Sequence, residues 1–168
     1  ANVALPDPAG VDVVRVESAA DLASAMHAHA VAADIVIMSA AVADFAPEAV
    51  APTKVKKGSA PDSITLRETP DILRALVASK RDGQIIVGFA AETGDAQGTV
   101  LEHAQRKLAA KGCDILVVND VSGAEGFGSA TNTVTILTAN SSQEAFQSMS
   151  KQSVADAVLD AVKGQFRH

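Results

Sequence analysis

The sequence predicts an α/β domain: a mostly parallel, Rossmann-like sheet with helices on both faces and a small antiparallel margin. Three observations carry that expectation. Residues 34–39, 84–89 and 114–118 are apolar runs rich in β-branched side chains and too short for helices, as strands buried on both faces should be. Helical patterns separate them, which calls for crossover connections and helices covering the sheet. The 168-residue chain has five Phe and neither Trp nor Tyr, so alanine and valine supply most of a core suited to close helix–sheet packing.

Residues 1–10, ANVALPDPAG, read as a loop from their Pro and Gly content. Val11 to Val16 is expected as a short strand, and Ser18 with Asp21 opens a helix to about Ala30. The buried strand Asp34 to Ser39 empties into Ala40, Ala41, Val42 and Ala43, side chains small enough to let a ligand reach the backbone. Asp44 follows, and a proline-bearing loop then ends in Lys54, Lys56 and Lys57. Ser63 to Arg67 reads as a short strand. Thr69 is expected to cap a helix whose next residue, Pro70, needs no intrahelical donor. That helix runs to about Lys80 and stops at Arg81-Asp82-Gly83.

Gln84 to Phe89 is the second buried strand, leaving through AAETGD. A long helix is expected from about Gln97 to Lys111, with Val100, Leu101, Ala104 and Leu108 on one face and Gly112 as its stop. Asp114 to Val118 is the third apolar strand, ending in Asn119-Asp120. GAEGFGSA (123–130) reads as a loop, Asn132 to Leu137 and Ala145 to Met149 as antiparallel margin strands, and Lys151 to Val162 as an amphipathic closing helix. A doubly wound domain usually opens on a strand and a glycine-rich turn, whereas this chain enters its sheet midway. The expectation is one domain over 1–168 that lacks an earlier βαβ portion.

Composition narrows the function. The net charge of −6 leaves no general basic footprint for duplex nucleic acid, and the few aromatics give no stacking surface for single strands. The lysines at 54–57 are a local exception in an acidic chain, the pattern of a focused anion site. One cysteine, Cys113, excludes an internal disulfide and reads as a small buried residue of a protein in a reducing compartment. The sequence has no signal peptide and no run of 18 apolar residues, so a cytoplasmic location is the default expectation. His27 and His29 lie two apart and do not share a helix face. His103 and His168 have no companions at ligand spacing, so a structural zinc site is not expected. The sequence has no GxGxxG after a strand, no Walker A motif and no GxSxG elbow.

The chemistry-bearing stretch is the strand end at 38–44 with its lysine loop. In open α/β sheets ligands sit beyond the carboxyl ends of the strands. A small-residue strand end, one carboxylate and mobile ammonium groups fit a phosphorylated ligand, with Mg²⁺ between carboxylate and phosphates. An ordinary sheet-edge loop is the plainer reading of the same residues. Lys107 and Lys111 share one helix face and can surround a polyphosphate; equally, lysines near a helix C-terminus complement its dipole without a ligand. The start at Thr69-Pro70-Asp71-Ile72-Leu73 offers free backbone donors to an anion, or is simply a well-capped helix. Phe89 packs against a nucleobase or in the core.

At SAAVADF (39–45), KVKK (54–57), PDIL (70–73), VGFAAET (87–93) and AQRKLAAKGCDILVVND (104–120), the sequence resembles the phosphopantothenoylcysteine synthetase family, the ligase module of the bacterial bifunctional coenzyme A biosynthesis protein. The likeness extends over nearly the whole chain, in family order and spacing. It implies a CTP-dependent phosphopantothenate–cysteine ligase using Mg²⁺, working as a homodimer and often fused to a flavin-dependent decarboxylase module. It implies that Met38, Ser39, Ala40, Asp44, Lys54, Pro70, Asp71, Ile72, Leu73, Phe89, Lys107 and Lys111 contact CTP. Ala40 and Ala41 would line the phosphopantothenate side. Lys54 would be the lysine associated with forming the cytidylate, with Lys56 and Lys57 as further flap residues. Family members carry a first strand, a glycine-rich loop and an Asn-containing stretch that are absent here, so this chain alone is expected to lack full ligase activity. An NAD(P)-binding oxidoreductase and a non-catalytic nucleotide-binding domain are the competing classes; the missing glycine fingerprint weighs against the first.

Overall fold

A computed structural model of the chain describes residues 6–56, 63–122, 131–140 and 142–166. Its main sheet has five strands in the order β1 (Ile35–Met38), β4 (Ile85–Glu92), β5 (Ile115–Asp120), β6 (Thr131–Thr138) and β7 (Gln143–Ser150). β1, β4 and β5 pair in parallel, β6 runs antiparallel to both its neighbours, and β7 therefore points the same way as β5. A separate two-stranded antiparallel sheet joins β2 (Phe45–Pro47) to β3 (Leu66–Glu68). The mostly parallel α/β architecture with an antiparallel margin is thus present.

Two apolar layers sandwich the main sheet. On one face Val36 and Met38 of β1, Ile86 of β4 and Leu116 and Val118 of β5 pack with α2 (Ile72–Ala78), α3 (Val100–Lys111) and side chains of α1 (Ala19–Ala30). On the other, Ile85, Val87, Ile115, Val117, Val134 and Ile136 meet Val154, Val158 and Val162 of α4 (Lys151–Gln165). The alternation of the pleat divides each strand between the two layers. α4 covers β5, β6 and β7. Ile35 and Ile37, on the same face but at the β1 edge, each keep 38% of their surface exposed.

Gly88 decides how close a helix can come to this sheet. A methyl group at its Cα would lie 2.6 Å from Leu73 Cδ2 and 3.3 Å from both Cys113 Sγ and Leu116 Cδ1. The bare backbone of β4 therefore lets α2 settle directly on the strand, placing that helix's first turn at the sheet's carboxyl end. Cys113 lies in the same contact, buried, with burial pushing its thiol up, as a packing residue should be.

Four expectations need correction. Val11–Val16 is not a strand: Val11, Val13 and Val14 are exposed, and the segment is held by the Arg15–Asp7 ion pair at 2.7 Å. β-branched composition favours extended backbone, but a strand also needs a partner, and this segment has none among the described residues. Thr69 does not cap α2. Its N–H donates to Asp44 O and its hydroxyl to Ala43 O, so it ends the β2–β3 ladder, and Asp71 caps the helix by accepting from the Arg74 amide at 3.1 Å. The third helix starts at Val100, because Thr99 and Glu102 form a reciprocal capping box there. The short strand expected from Ser63 is only Leu66–Glu68, paired to a β2 that composition did not signal. Gly112 ends α3 with φ +71°, as expected. The expected loop at 123–130, Lys57 and His168 lie outside the described residues.

Candidate functional site

A cleft of ≈ 520 Å³ opens at the carboxyl ends of the parallel strands. One wall is the end of β1 and the run after it, Met38 to Val42 with Asp44. Opposite stands the start of α2, Thr69 to Leu73. β4 supplies Phe89, Ala90 and Ala91, β5 supplies Leu116 and Asn119, and β6 supplies Asn132. Lys107 and Lys111, one turn apart on α3, complete it. Each wall follows from local chemistry. The alanines after β1 leave room at the rim, Gly88 draws α2 inward, and Gly112 fixes the end of the helix that bears both lysines.

Both cleft lysines are held by carboxylates from other elements. Lys111 Nζ donates to Asp71 Oδ2 at 2.5 Å, tying α3 to the start of α2. Lys107 Nζ donates to Glu92 Oε1, tying α3 to the end of β4. Asp71 thus has two tasks, since its other oxygen caps α2. Partial burial opposes its ionisation, but the hydrogen bonds from Lys111 and the Arg74 amide, with the charges of both residues, outweigh that and hold its carboxyl below the usual value. On the floor Asn132 Nδ2 donates to Asn119 Oδ1 at 3.2 Å, while Asn132 Oδ1 is buried without a hydrogen-bond partner among the described residues.

The structure brings together Met38, Ser39, Ala40, Ala41, Asp44, Pro70, Asp71, Ile72, Leu73, Phe89, Lys107 and Lys111, residues scattered over 74 positions of sequence (111 − 38 + 1). Lys54 stands apart: it is exposed, on the segment between β2 and β3, and does not line the cleft. Its segment is nonetheless rooted at the rim, because Thr69 bonds back to Ala43 and Asp44 where the two-stranded arm begins. Sequence reasoning passed over Asn119, Asn132 and Glu92 as ligand-facing or supporting groups. The usable signal was position: Asn119 and Glu92 each sit at the carboxyl end of an apolar run, where open sheets bind ligands. Asn132 gives no such signal, because its place in the cleft depends on β6 pairing with β5.

Among the described residues no group of three or more His, Cys, Asp or Glu converges as a metal site, and no helix is long and apolar enough to cross a membrane. Among the described residues Asp44 is a carboxylate of the lining in no ion pair, and Lys107 and Lys111 line the same cleft. That set suits an anion with an associated hard cation better than a protein-caged metal.

The family described as the DNA/pantothenate metabolism flavoprotein C-terminal domain matches residues 1–165. The chain belongs to that family. It is 47% identical over 164 residues to the coenzyme A biosynthesis bifunctional protein CoaBC of Mycobacterium bovis, covering 94% of this chain and 39% of that protein. It is 41% identical over 162 residues to CoaBC of Bacillus subtilis, covering 95% and 39%. The chain thus spans about two fifths of the length of these curated relatives. Among solved structures, the C-terminal domain of a CoaBC protein superposes with a TM-score of 0.77 at 33% identity, over 98% of this chain and 70% of that one. A Cab2 variant in complex with phosphopantothenate-cysteine shares the fold at a TM-score of 0.52 and 20% identity, over 76% of this chain and 44% of that one.

Proposed function

We propose that this family member serves as the ligase domain that joins 4′-phosphopantothenate to L-cysteine at the expense of CTP. The observation that carries the reading is the convergence of the strand end 38–44, the start of α2, Phe89 and the two α3 lysines on one cleft. Its character suits a nucleoside triphosphate. Small side chains admit the ligand to the backbone, Phe89 offers a face for a base or sugar, and Lys107 and Lys111 offer charge to phosphates. The kinship with CoaBC and the likeness to a domain seen with phosphopantothenate-cysteine support the same acid and amine as substrates.

A carboxylate is a poor electrophile because its leaving group would be oxide. In the proposed reaction the phosphopantothenate carboxylate oxygen attacks the α-phosphorus of CTP, an O–P bond forms and pyrophosphate leaves. The amine of cysteine then attacks the acyl carbonyl, losing a proton, and CMP departs as the amide forms. Lysines around the phosphates stabilise the charge that develops on pyrophosphate. Lys54 is assigned to the first step, brought to the triphosphate by the β2–β3 arm that also bears Lys56, with Lys57 next in sequence. Mg²⁺, where it accompanies the nucleotide, would be held by phosphate oxygens and Asp44 and would neutralise phosphate charge. Ala40 and Ala41 would face the acid substrate. The proposed setting is a cytoplasmic homodimer joined to a second module, as the bifunctional name of its relatives suggests, with the flavin-dependent decarboxylase implied by the family resemblance as that module.

Isothermal titration of the chain with CTP and Mg²⁺ tests the core of this reading. Saturable binding that weakens by about tenfold in Asp44→Asn is the expected result. No binding, or binding undiminished by that change, would contradict it. Binding without pyrophosphate release in a protein that also spans the rest of the relatives' C-terminal domain would point to a non-catalytic nucleotide-binding role.

A further inference from the structure

The two cleft lysines are held differently. Asp71, the partner of Lys111, itself lines the cleft, so an arriving anion meets that ion pair directly. Glu92, the partner of Lys107, is not part of the lining. Its side chain is only 16% exposed, at the end of β4, with its backbone carbonyl accepting from the Val121 amide. Lys107 keeps 38% of its side chain exposed and reaches the cleft wall. The order from interior to cleft is thus carboxylate, ammonium, ligand space.

We infer that Glu92 is a positioning residue of the anion site: from behind the wall it fixes the Lys107 ammonium for the phosphates of the nucleotide. The inference rests on the nucleotide reading proposed above. A lysine has a four-carbon stem and much rotamer freedom, which is lost when it is ordered. A carboxylate anchored on a strand removes that freedom before the ligand arrives, as supporting hydrogen bonds do for other preorganised sites. Glu92 also lowers the net positive charge near the phosphates, which works against binding. Lys107 lines the cleft and Glu92 does not, so the ammonium is the nearer charge to the ligand, and we take preorganisation to outweigh the repulsion.

The experiment titrates Mg²⁺–CTP and, separately, inorganic triphosphate into the chain, Glu92→Gln, Lys107→Met and the double variant. The expected result is a loss of about tenfold in affinity for both probes in Glu92→Gln, with recovery towards the wild-type value in Glu92→Asp. In the Lys107→Met background Glu92→Gln should cause no further loss, because the carboxylate acts only through that ammonium. A residue that merely stabilised the fold would add the same loss in either background. Circular dichroism of each variant confirms that a weakened one is folded. Equal or tighter binding by Glu92→Gln, or a further loss in the Lys107→Met background, would overturn this inference while leaving the nucleotide reading intact. Absence of CTP binding by the unaltered chain would overturn that reading, and this inference with it.

Discussion

The cleft wall built by β4, α2 and α3 and the two-stranded arm built by β2 and β3 hold their lysines by opposite means. In the wall, Gly88 lets Leu73 rest on bare backbone, and Ile86, Leu76 and Leu116 are fully buried around it. Lys107 and Lys111 are each tied to a carboxylate of another element. In the arm, Phe45 and Leu66 keep 57% of their surface exposed, and Lys54 is exposed and does not line the cleft. A wall fixed by packing suits recognition, because preformed charge costs little to engage. The exposed Phe45 and Leu66 give the arm less packing than the wall, and weakly packed elements are the ones that open most readily.

The largest expected effect sharpens that contrast on the arm. Lys54→Gln should lower pyrophosphate release by roughly 100-fold in protein competent for ligation, while leaving the melting temperature and CTP affinity nearly unchanged. A fall in affinity equal to the fall in rate would place Lys54 with the wall instead. On the wall, Gly88→Ala should destabilise by about 1–3 kcal/mol, because the new methyl meets Leu73 and two further side chains. Chemical denaturation measures it, and an unchanged midpoint would mean that α2 does not rest on β4 as described.

The smallest effect is a pH dependence. The carboxyl of Asp71 lies below its usual value in the folded chain, so its contribution is complete above the unfolded value near about 4 and is lost as pH falls through the folded value beneath it. Asp71→Asn should therefore flatten the acid limb of a stability–pH profile and leave its slope above pH ~5 unaltered. A parallel profile in the variant would remove the Lys111–Asp71 pair from the account.

Much of this was legible in the sequence where chemistry is local. The three apolar runs at 34–39, 84–89 and 114–118 each supply a strand, Gly112 stops its helix in the left-handed region, and Ser18 with Asp21 forms the capping box expected of it. What stayed hidden depends on partners distant in the chain. Phe45–Pro47 is a strand only because Leu66–Glu68 lies beside it, and Val11–Val16 fails to become one for want of such a neighbour. Thr69 looked like a helix cap because its hydroxyl is followed by Pro70, but Ala43, twenty-six residues earlier, claims that hydroxyl. The pairing of Lys107 with Glu92 is likewise invisible to spacing, since fifteen residues and a change from strand to helix separate them.

The bonds from Thr69 to Ala43 and Asp44 fasten the foot of the arm to the rim of the cleft. Residue 44 belongs to the lining, residue 45 begins the arm, and Thr69 leads within two positions to the cap of α2. Whatever tilts the arm must turn about this knot, and whatever fills the space beneath presses on it. The foot of the arm and the rim of the cleft thus hang on the same two hydrogen bonds, both accepted by backbone carbonyls, so a change at either place meets the other there first.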